Sequence, residues 1–398
     1  MILAHKIALD PTCKQRRYFA QASGCDRFVW NLALEQWNAE YAAGGKPKGS
    51  ELKKRFNATK YQQYPWMQKV HRDAHAEPFA RLQKAWATHF KNPKQSHRPV
   101  FHRKGRHDSF YVANDKFSID DHVVRLPVVG RVRVREALRL HGKIMGARVS
   151  RQAQRWFISI QVEVGDVKRE RTGSGTCGVD LGIKSAATTA YQDGSVEKIE
   201  APKPLAAALS KMRRMQRSVS RRKKGGENRR KLVAKVARVH ARIASIRADF
   251  WNKLTTRLCR ENQAVGIETL NVRGMVKNRR LSRALVDVGL GMFKPRMQYK
   301  AALYGTRLIA ADPWFPSSKT CSRCGAVKET LLLSERVFRC GQCGVVKDRD
   351  ENAAANLCAI AKQLLPTACG ESTPAERPAA LSNLVEAGTS PCALLHTL

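Results

Sequence analysis

Two Cys-x-x-Cys pairs near the C-terminal end restrict the fold more than any other feature of the sequence. Fifteen residues separate the pairs, and each pair is followed by a glycine, Gly325 or Gly344, which permits the tight turn that points both thiolates inward. Four thiolates at this spacing are typical of a zinc ribbon with a closed, structural Zn²⁺ site. The paired arrangement disfavours the alternative, a redox-active Cys-x-x-Cys. The predicted zinc ligands are Cys321, Cys324, Cys340 and Cys343.

The charge of the chain points to its partner. Lysine and arginine number 73 against 33 aspartate and glutamate, a formal net charge of +40. An excess of this size predicts a polyanionic partner, and nucleic acid is the leading candidate. The other seven of the eleven cysteines are scattered without pairing logic, so no disulfide framework is predicted.

Length and hydropathy exclude further classes of protein. The 398 residues are 43% hydrophobic, which suffices for two or three domains with real cores and excludes a wholly disordered basic tail. The sequence has no run of about 18 apolar residues and no signal-peptide h-region. We therefore expect no membrane partner and a location in the cytoplasm or nucleoid of a bacterium or archaeon.

The N-terminal third combines strand and helix signals. Residues 1–8 alternate as a short strand, and residues 70–90 are periodic as a helix. A loop is predicted at residues 44–49, and a basic, aromatic-containing loop at residues 97–110. A further helix is predicted to pack against the core through an apolar stripe of Val29, Ala33, Trp37 and Tyr41.

From residue 119 to residue 164 the period changes to two, which predicts antiparallel strands with one buried face. Arginines alternate with valines at residues 131–135, where they either contact phosphates or are simply solvated. A second strand-rich segment, residues 176–200, contains an Asp193-Gly194 turn between two strands.

The central region is strongly basic. Residues 211–247 carry fifteen lysines and arginines and a single acid, with a helix break at Gly225-Gly226. An amphipathic helix follows, with an apolar stripe from Leu232 to Leu258 that steps by three or four residues. We interpret the basic face as a phosphate-binding surface in preference to a solvated one.

Three carboxylates stand at element ends in a βββαβ-like pattern. Asp180 lies in an apolar strand, Glu268 ends the strand predicted at residues 263–268, and Asp350 opens a terminal helix. An acid in an apolar strand requires a compensating cation, although an acid at a helix start is often a simple N-cap. Such a cluster can hold two Mg²⁺ or Mn²⁺ ions and hydrolyse a phosphodiester. No phosphate-binding GxxxxGK[ST] loop is present.

Several segments resemble the signature blocks of TnpB, the RNA-guided endonuclease family of insertion sequences that is related to type V CRISPR effectors. The N-terminal third resembles the family through FVWNLAL and PVFHRKGRHDSF, so the resemblance covers nearly the whole chain except the tail. The other blocks are GVDLGIK, IETLNV, NRRLSRALVDVG, FPSSKTCSRCG and DRDENAAANL.

The resemblance implies an α/β plus β architecture. An RNase H-like (RuvC) nuclease domain would carry a zinc-ribbon insertion, and a β-barrel wedge domain with a helical recognition insertion would precede it. The implied limits are 1–12 for the first wedge strand, 13–95 for the recognition helices, 96–170 for the wedge barrel, 171–316 and 348–366 for the nuclease domain, 317–347 for the target-nucleic-acid-binding ribbon, and 367–398 for a disordered tail.

The resemblance also implies a mechanism and partners. It assigns metal-dependent catalysis to Asp180, Glu268 and Asp350, with Asp350 preferred over Asp348 because the family motif is Asp-x-Asn-Ala. The partners would be a guide RNA from the transposon end and target double-stranded DNA beside a short motif, with the protein a monomer or a weak dimer on RNA. The predicted nucleic-acid contacts are Lys54, Arg72, Arg103, Lys104, Asn114, Lys184, Arg221, Arg222, Lys223, Lys224, Arg279 and Arg280.

Four alternatives stay open at this point. The chain would otherwise be a small type V CRISPR effector, an RNA-guided DNA-binding protein without cleavage, a transposase that performs its own strand transfer, or a basic zinc-ribbon RNA-binding protein without catalysis. The presence of all three acids argues against an RNA-guided DNA-binding protein without cleavage, and the resemblance disfavours a transposase.

Overall fold

The computed structural model describes residues 1–106, 108–165, 169–332 and 334–365. It divides into two compact units, residues 1–166 and residues 167–398. The tail predicted to be disordered, residues 367–398, lies outside the described residues. None of the helices in the described residues is long and apolar enough to cross a membrane.

The first unit begins with one strand, and three α-helices follow it along the chain. A capping box formed by Thr12 and Gln15 starts α1. Its predicted stripe is buried as far as Trp37, whereas Tyr41 stays exposed. The elements are β1 (Ile2–Asp10), α1 (Cys13–Ala42), α2 (Gly49–Gln63) and α3 (Asp73–Lys91).

Helix α2 was not predicted from the sequence. It begins at Gly49, inside the predicted loop, because this residue lies directly against α3: a Cβ there would lie 2.7 Å from the backbone oxygen of Phe79. Only Leu52 and Phe56 contribute large apolar side chains to its buried face, so the helical period is weak.

An antiparallel sheet of seven strands completes the first unit, in the order β2-β6-β7-β1-β5-β4-β3. Strand β1 pairs with β7 over Ile2–Ala8 and with β5 over Leu9–Asp10. No pairing between β2 and β3 closes this sheet within residues 1–106 and 108–165, so the barrel stays a prediction. The other strands are β2 (Ser109–Ala113), β3 (Ser118–Asp120), β4 (Val123–Leu126), β5 (Gly130–Val134), β6 (Lys143–Gln152) and β7 (Arg155–Glu163).

The second unit is built on a mixed sheet in the order β10-β9-β8-β11-β12. Strands β8, β9 and β10 are antiparallel, and β11 runs parallel to β8 and β12. The elements are β8 (Gly175–Leu181), β9 (Ser185–Tyr191), β10 (Val196–Glu200), α4 (Pro204–Ser220), α5 (Glu227–Glu261), β11 (Asn262–Ile267), α6 (Val272–Met275), α7 (Ser282–Val288), α8 (Phe293–Tyr304), β12 (Arg307–Ala310), β13 (Val337–Arg339), β14 (Val346–Asp348) and α9 (Arg349–Gln363).

Two sequence predictions for the second unit need correction. The segment around the Asp193-Gly194 turn holds three strands instead of two, because the chain also reverses between β8 and β9. The buried stripe of α5 contains Arg247 and Trp251, which neighbour the predicted apolar positions. Arg247 pairs with Asp287 at 3.0 Å, and the indole N–H of Trp251 donates to the carbonyl of Val288 at 2.9 Å. The indole N–H and one guanidinium nitrogen are therefore paired inside the core, whereas Nε of Arg247 has no hydrogen-bond partner among the described residues.

Candidate functional site

The parallel pairing of β8 with β11 places two of the three predicted acids side by side. Val179 is opposite Ile267 in the register, and the next residues along the two strands are Asp180 and Glu268. Because parallel strands end at the same edge of a sheet, both carboxyl groups lie at one edge. Glu268 lies close enough to Asp180 for its charge to act on that carboxyl.

Helix α9 brings the third acid to the same edge. It packs on β8 and β11 without intervening side chains, since a Cβ at Gly178 would lie 2.1 Å from the carbonyl oxygen of Ala354 and one at Gly266 would lie 2.1 Å from that of Leu357. The two glycines therefore permit a close approach of helix and sheet. Asp350, in the first turn of α9, lies close enough to Asp180 for its charge to act on that carboxyl.

Burial and like charges dominate the electrostatics of this edge. Burial among protein atoms raises the pKa of Asp180 well above its usual range, and the charges of Glu268 and then Asp350 raise it further. Arg349 opposes the shift only in part. Three neighbouring carboxylates supply hard oxygen ligands, which suit Mg²⁺ or Mn²⁺. In donor chemistry the three carboxylates fit a divalent metal, but within the described residues they are grouped less closely than the four cysteines, the set whose ligand atoms all lie within 4.8 Å of one another.

Asp348 and Asp350 have different surroundings. Asp348 is the N-cap of α9, where its side chain accepts hydrogen bonds from the backbone N–H groups of Asp350 and Glu351. Lys198 bridges the carboxylates of Asp348 (2.9 Å) and Glu351 (2.8 Å). Asp348 therefore holds the helix terminus in place, whereas Asp350 interacts with the acids at the sheet edge.

The four cysteines of the two pairs converge, with their sulfur atoms all within 4.8 Å of one another. The Sγ atoms of Cys321 and Cys343 are 3.6 Å apart, as are those of Cys324 and Cys340. A tetrahedral ion with Zn–S bonds of about 2.3 Å requires sulfur atoms separated by about 3.8 Å. This group of four cysteines is thus shaped to hold a tetrahedral metal ion.

The backbone around the cysteines favours thiolates. Gly325 and Gly344 adopt positive φ angles of 76° and 71°, as the tight turns predicted. The backbone N–H of Cys343 donates to the Cys340 sulfur at 3.5 Å. This hydrogen bond and the neighbouring backbone lower the pKa of Cys340 to about 6, and a lowered pKa favours the metal-binding form.

A residue without a role predicted from the sequence touches the carboxylate edge. The hydroxyl of Ser317 donates to Oε1 of Glu268 at 2.8 Å. The segment FPSSKTCSRCG contains this serine, but only the tertiary structure shows that it contacts the acid.

The predicted nucleic-acid contacts are all exposed, and they fall in both units. Arg221, Arg222, Lys223 and Lys224 cluster in the turn between α4 and α5, and Arg279 and Arg280 share the loop between α6 and α7. In the first unit, Arg103 and Lys104 share the loop after α3. Lys54, Arg72, Asn114 and Lys184 are exposed at separate places along the chain.

A cavity of about 410 Å³ lies between α2, α3 and β2 in the first unit. Of the predicted nucleic-acid contacts, Arg72 lines it, and so does Lys53, the neighbour of the predicted Lys54. The remaining lining residues are Asn57, Lys60, Asp73, Ala76, Glu77, Ala80 and Tyr111.

Family models match three parts of the chain. Residues 159–279 match a model described as a probable transposase, and residues 291–357 match one described as a Cas12f1-like TNB domain. Residues 1–46 match a model described as a helix-turn-helix domain. In the structure this last segment is β1 followed by the single 30-residue helix α1.

Similarity to curated proteins extends over almost the full length. A protein of Streptomyces pristinaespiralis, provisionally named an RNA-guided DNA endonuclease, is 35% identical and covers 94% of this chain and 92% of its own length. A protein of Escherichia coli strain K12 with the same provisional description is 30% identical, over 94% of this chain and 96% of its own length. This chain belongs to the TnpB family. The family membership predicted from the sequence blocks is confirmed.

A solved structure shares the fold of this TnpB-family protein. The cryo-EM structure of a Cas12f1–sgRNA–target DNA complex matches with a TM-score of 0.59, over 87% of this chain and 83% of its own. The sequence identity is 13%, so the likeness concerns the fold alone. The predicted relation to small Cas12 effectors is confirmed at that level.

Proposed function

We propose that this TnpB-family protein is an RNA-guided DNA endonuclease that hydrolyses phosphodiester bonds at one site. The observation that carries the proposal is the convergence of Asp180, Glu268 and Asp350 at one edge of the mixed sheet, with no comparable role left for Asp348. The full-length relatives with provisional endonuclease names support it.

The three acids would hold two Mg²⁺ or Mn²⁺ ions. Bound there, such ions activate water and stabilise the leaving 3′ oxygen. Asp180 and Glu268 contribute from adjacent strand ends, and Asp350 contributes from the first turn of α9. Packing of α9 on Gly178 and Gly266 keeps the three carboxyl groups together. Held this close, the carboxylates repel one another. A bound cation would relieve that repulsion, which favours ion binding.

The four cysteines would hold one Zn²⁺ ion. Four protein ligands close the coordination sphere, so the site is structural rather than catalytic. In the described part of the ribbon, the cluster of buried apolar groups consists of Cys321, Phe338 and Cys340. So small a core needs a metal for stability.

The exposed basic residues would bind a guide RNA from the transposon end and the target DNA. A guide–target heteroduplex of about 20 bp carries about 40 phosphates, and the formal net charge of the chain is +40. Sequence reading would then be divided between base pairing with the guide and protein contacts to a short adjacent motif.

The test begins with the purified full-length protein and the RNA that copurifies with it. Sequencing that RNA identifies the guide, and a linear duplex library that carries the matching target is then supplied with Mg²⁺ or Mn²⁺. We expect cleavage of both strands, no cleavage with EDTA, and no cleavage by Asp180→Ala at unchanged RNA content. Binding of the matched target by the wild-type complex without cleavage in either metal would instead indicate an RNA-guided binding protein.

A further inference from the structure

The contact between Ser317 and Glu268 links the carboxylate edge to the cysteine ribbon. Ser317 is buried, with 7% of its surface exposed, and its hydroxyl lies 2.8 Å from Oε1 of Glu268. A buried hydroxyl that donates to one carboxylate oxygen fixes the rotation of the carboxyl group and directs the other oxygen. Glu268 therefore depends on Ser317 for its orientation.

Ser317 is itself held by helix α9. The side-chain N–H₂ of Asn356 donates to the carbonyl oxygens of Ser317 and Thr320, both at 2.7 Å. Asn356 is buried, and both donor hydrogens are used, so the turn that carries Ser317 has one position relative to α9.

One helical turn earlier, Asn352 joins the same turn to the first cysteine pair. Its side chain donates to the carbonyl of Thr320 at 2.7 Å and accepts from the backbone N–H of Ser322 at 2.9 Å. Asn352 has no exposed surface. Ser322 lies between the cysteines of the first pair. Asn352 and Asn356 therefore position both this cysteine pair and the turn that carries Ser317.

We propose that Ser317 is a positioning residue for Glu268 and that the metal-loaded cysteine cluster keeps Ser317 in place. Only Ser318, Lys319 and Thr320 separate this serine from the first cysteine, Cys321. Loss of the ion from the cysteines frees the ribbon and, with it, the hydrogen bond to Glu268. Metal occupancy at the cysteines thereby sets the affinity of the carboxylate edge for divalent ions. The inference rests on the proposed function, since it concerns the same carboxylates.

The first experiment measures Mn²⁺ binding by electron paramagnetic resonance, using full-length protein with its RNA and without DNA. We expect Ser317→Ala to weaken Mn²⁺ binding about 10-fold to 100-fold, the usual effect of losing a partner that orients a metal ligand. Ser317→Thr, which keeps the hydroxyl, restores binding. The matched control is Ser318→Ala, because Ser318 is half-buried and makes no side-chain hydrogen bond in the described part of the chain. Equal affinities of Ser317→Ala and wild type would overturn the positioning role.

The second experiment tests the coupling to the cysteines with a double-mutant cycle. Cys340→Ser should lower the zinc content and weaken Mn²⁺ binding, and adding Ser317→Ala should weaken it no further, because both act on one hydrogen bond. Asn356→Ala replaces Cys340→Ser if that variant fails to fold. Additive effects would refute the coupling.

Failure of this inference differs from failure of the proposed function. If the wild-type complex never cuts its target, the proposed endonuclease is wrong. If it cuts normally and the serine and cysteine variants bind Mn²⁺ as the wild type does, only the link between ribbon and carboxylates is wrong.

Discussion

Buried acids of the first unit have cationic neighbours, whereas the acids at the edge of the mixed sheet have anionic ones. Asp26 lies 2.7 Å from Arg81, and Asp108 contacts Arg27 at 3.2 Å and also Arg151. Asp180 instead has Glu268 beside it, with Asp350 close by. Acids of the first kind are compensated within the protein, whereas those of the second kind repel one another.

The two arrangements have different consequences for stability. Replacing a buried acid that is paired with a guanidinium strongly destabilises the fold, because the guanidinium loses charge compensation. Repulsion within a cluster of carboxylates destabilises the folded protein, and a bound cation relieves that repulsion. Substitutions in the first unit should therefore act on folding, and substitutions at the sheet edge should act on metal binding and catalysis.

The largest expected effect concerns Asp350. We expect Asp350→Asn to reduce target cleavage about 1000-fold, equivalent to about 4 kcal/mol, because the removed carboxylate is a metal ligand in the proposed site. Thermal unfolding without added metal should show no loss of stability. Asp348→Asn is the matched control, since asparagine keeps the N-cap, and its cleavage rate should stay within about 10-fold of wild type. Equal losses in both variants would contradict the separate roles of the two acids.

Next in size is the removal of a paired acid. Asp26→Ala removes two hydrogen bonds from the guanidinium of Arg81, which keeps its contact with Glu77 at 3.1 Å, and we expect the free energy of unfolding to fall by about 3 kcal/mol. Urea denaturation followed by circular dichroism measures this change. The Mn²⁺ affinity of the folded variant should equal that of wild type, and a weakened Mn²⁺ affinity would count against the separation of the two groups of acids.

A smaller effect is expected from His75, a buried base of the first unit whose ring nitrogens have no hydrogen-bond partner among the residues that the structure describes. Burial lowers its pKa to about 4, so the folded protein keeps the ring neutral while the unfolded chain takes up a proton below about pH 6.5. His75 therefore lowers the free energy of unfolding only below about pH 6.5, and this loss of stability grows as the pH falls toward 4. At pH 5 we expect unfolding to be easier by about 2 kcal/mol relative to pH 7.

Urea denaturation at pH 7 and pH 5 measures the contribution of His75. His75→Leu should remove this part of the pH dependence, since leucine carries no titrating group. An unchanged difference between the two pH values in the variant would assign the effect to other groups.

The smallest expected effect is that of Asp348→Ala. Loss of the N-cap of α9 should lower the free energy of unfolding by about 1 kcal/mol. The half-exposed contact with Lys198 adds little to this. Thermal denaturation of the second unit measures the shift, and a loss comparable to that of Asp26→Ala would show that Asp348 is more than a cap.

Local features were predicted well from the sequence. The glycine turns after each cysteine pair and the Asp193-Gly194 turn follow from backbone preferences of adjacent residues, and Gly194 indeed has a positive φ of 86°. The alternation of exposed Arg131 and Arg133 with buried Val132 follows from the two-residue period of a strand.

Features that depend on distant partners were missed or misplaced. Helix α2 has too few apolar positions to produce a clear period, and it forms against α3. Arg247 is buried because Asp287, forty residues later, accepts its hydrogen bond. The contact of Ser317 with Glu268 has no local signal at all, since serine is common in loops and its role depends on where the loop packs.

The sequence by itself determined which residues are the candidates for the chemistry of this protein: four cysteines at a ribbon spacing, and three acids at element ends that resemble those of the TnpB family. Only the tertiary structure decided how they meet. The acids are separated by 88 and 82 residues, and they come together because β8 and β11 are parallel and in register and because Gly178 and Gly266 let α9 lie directly on those strands. The spacing of neighbouring residues is enough to specify a turn, whereas contacts between residues far apart in the sequence depend on tertiary packing.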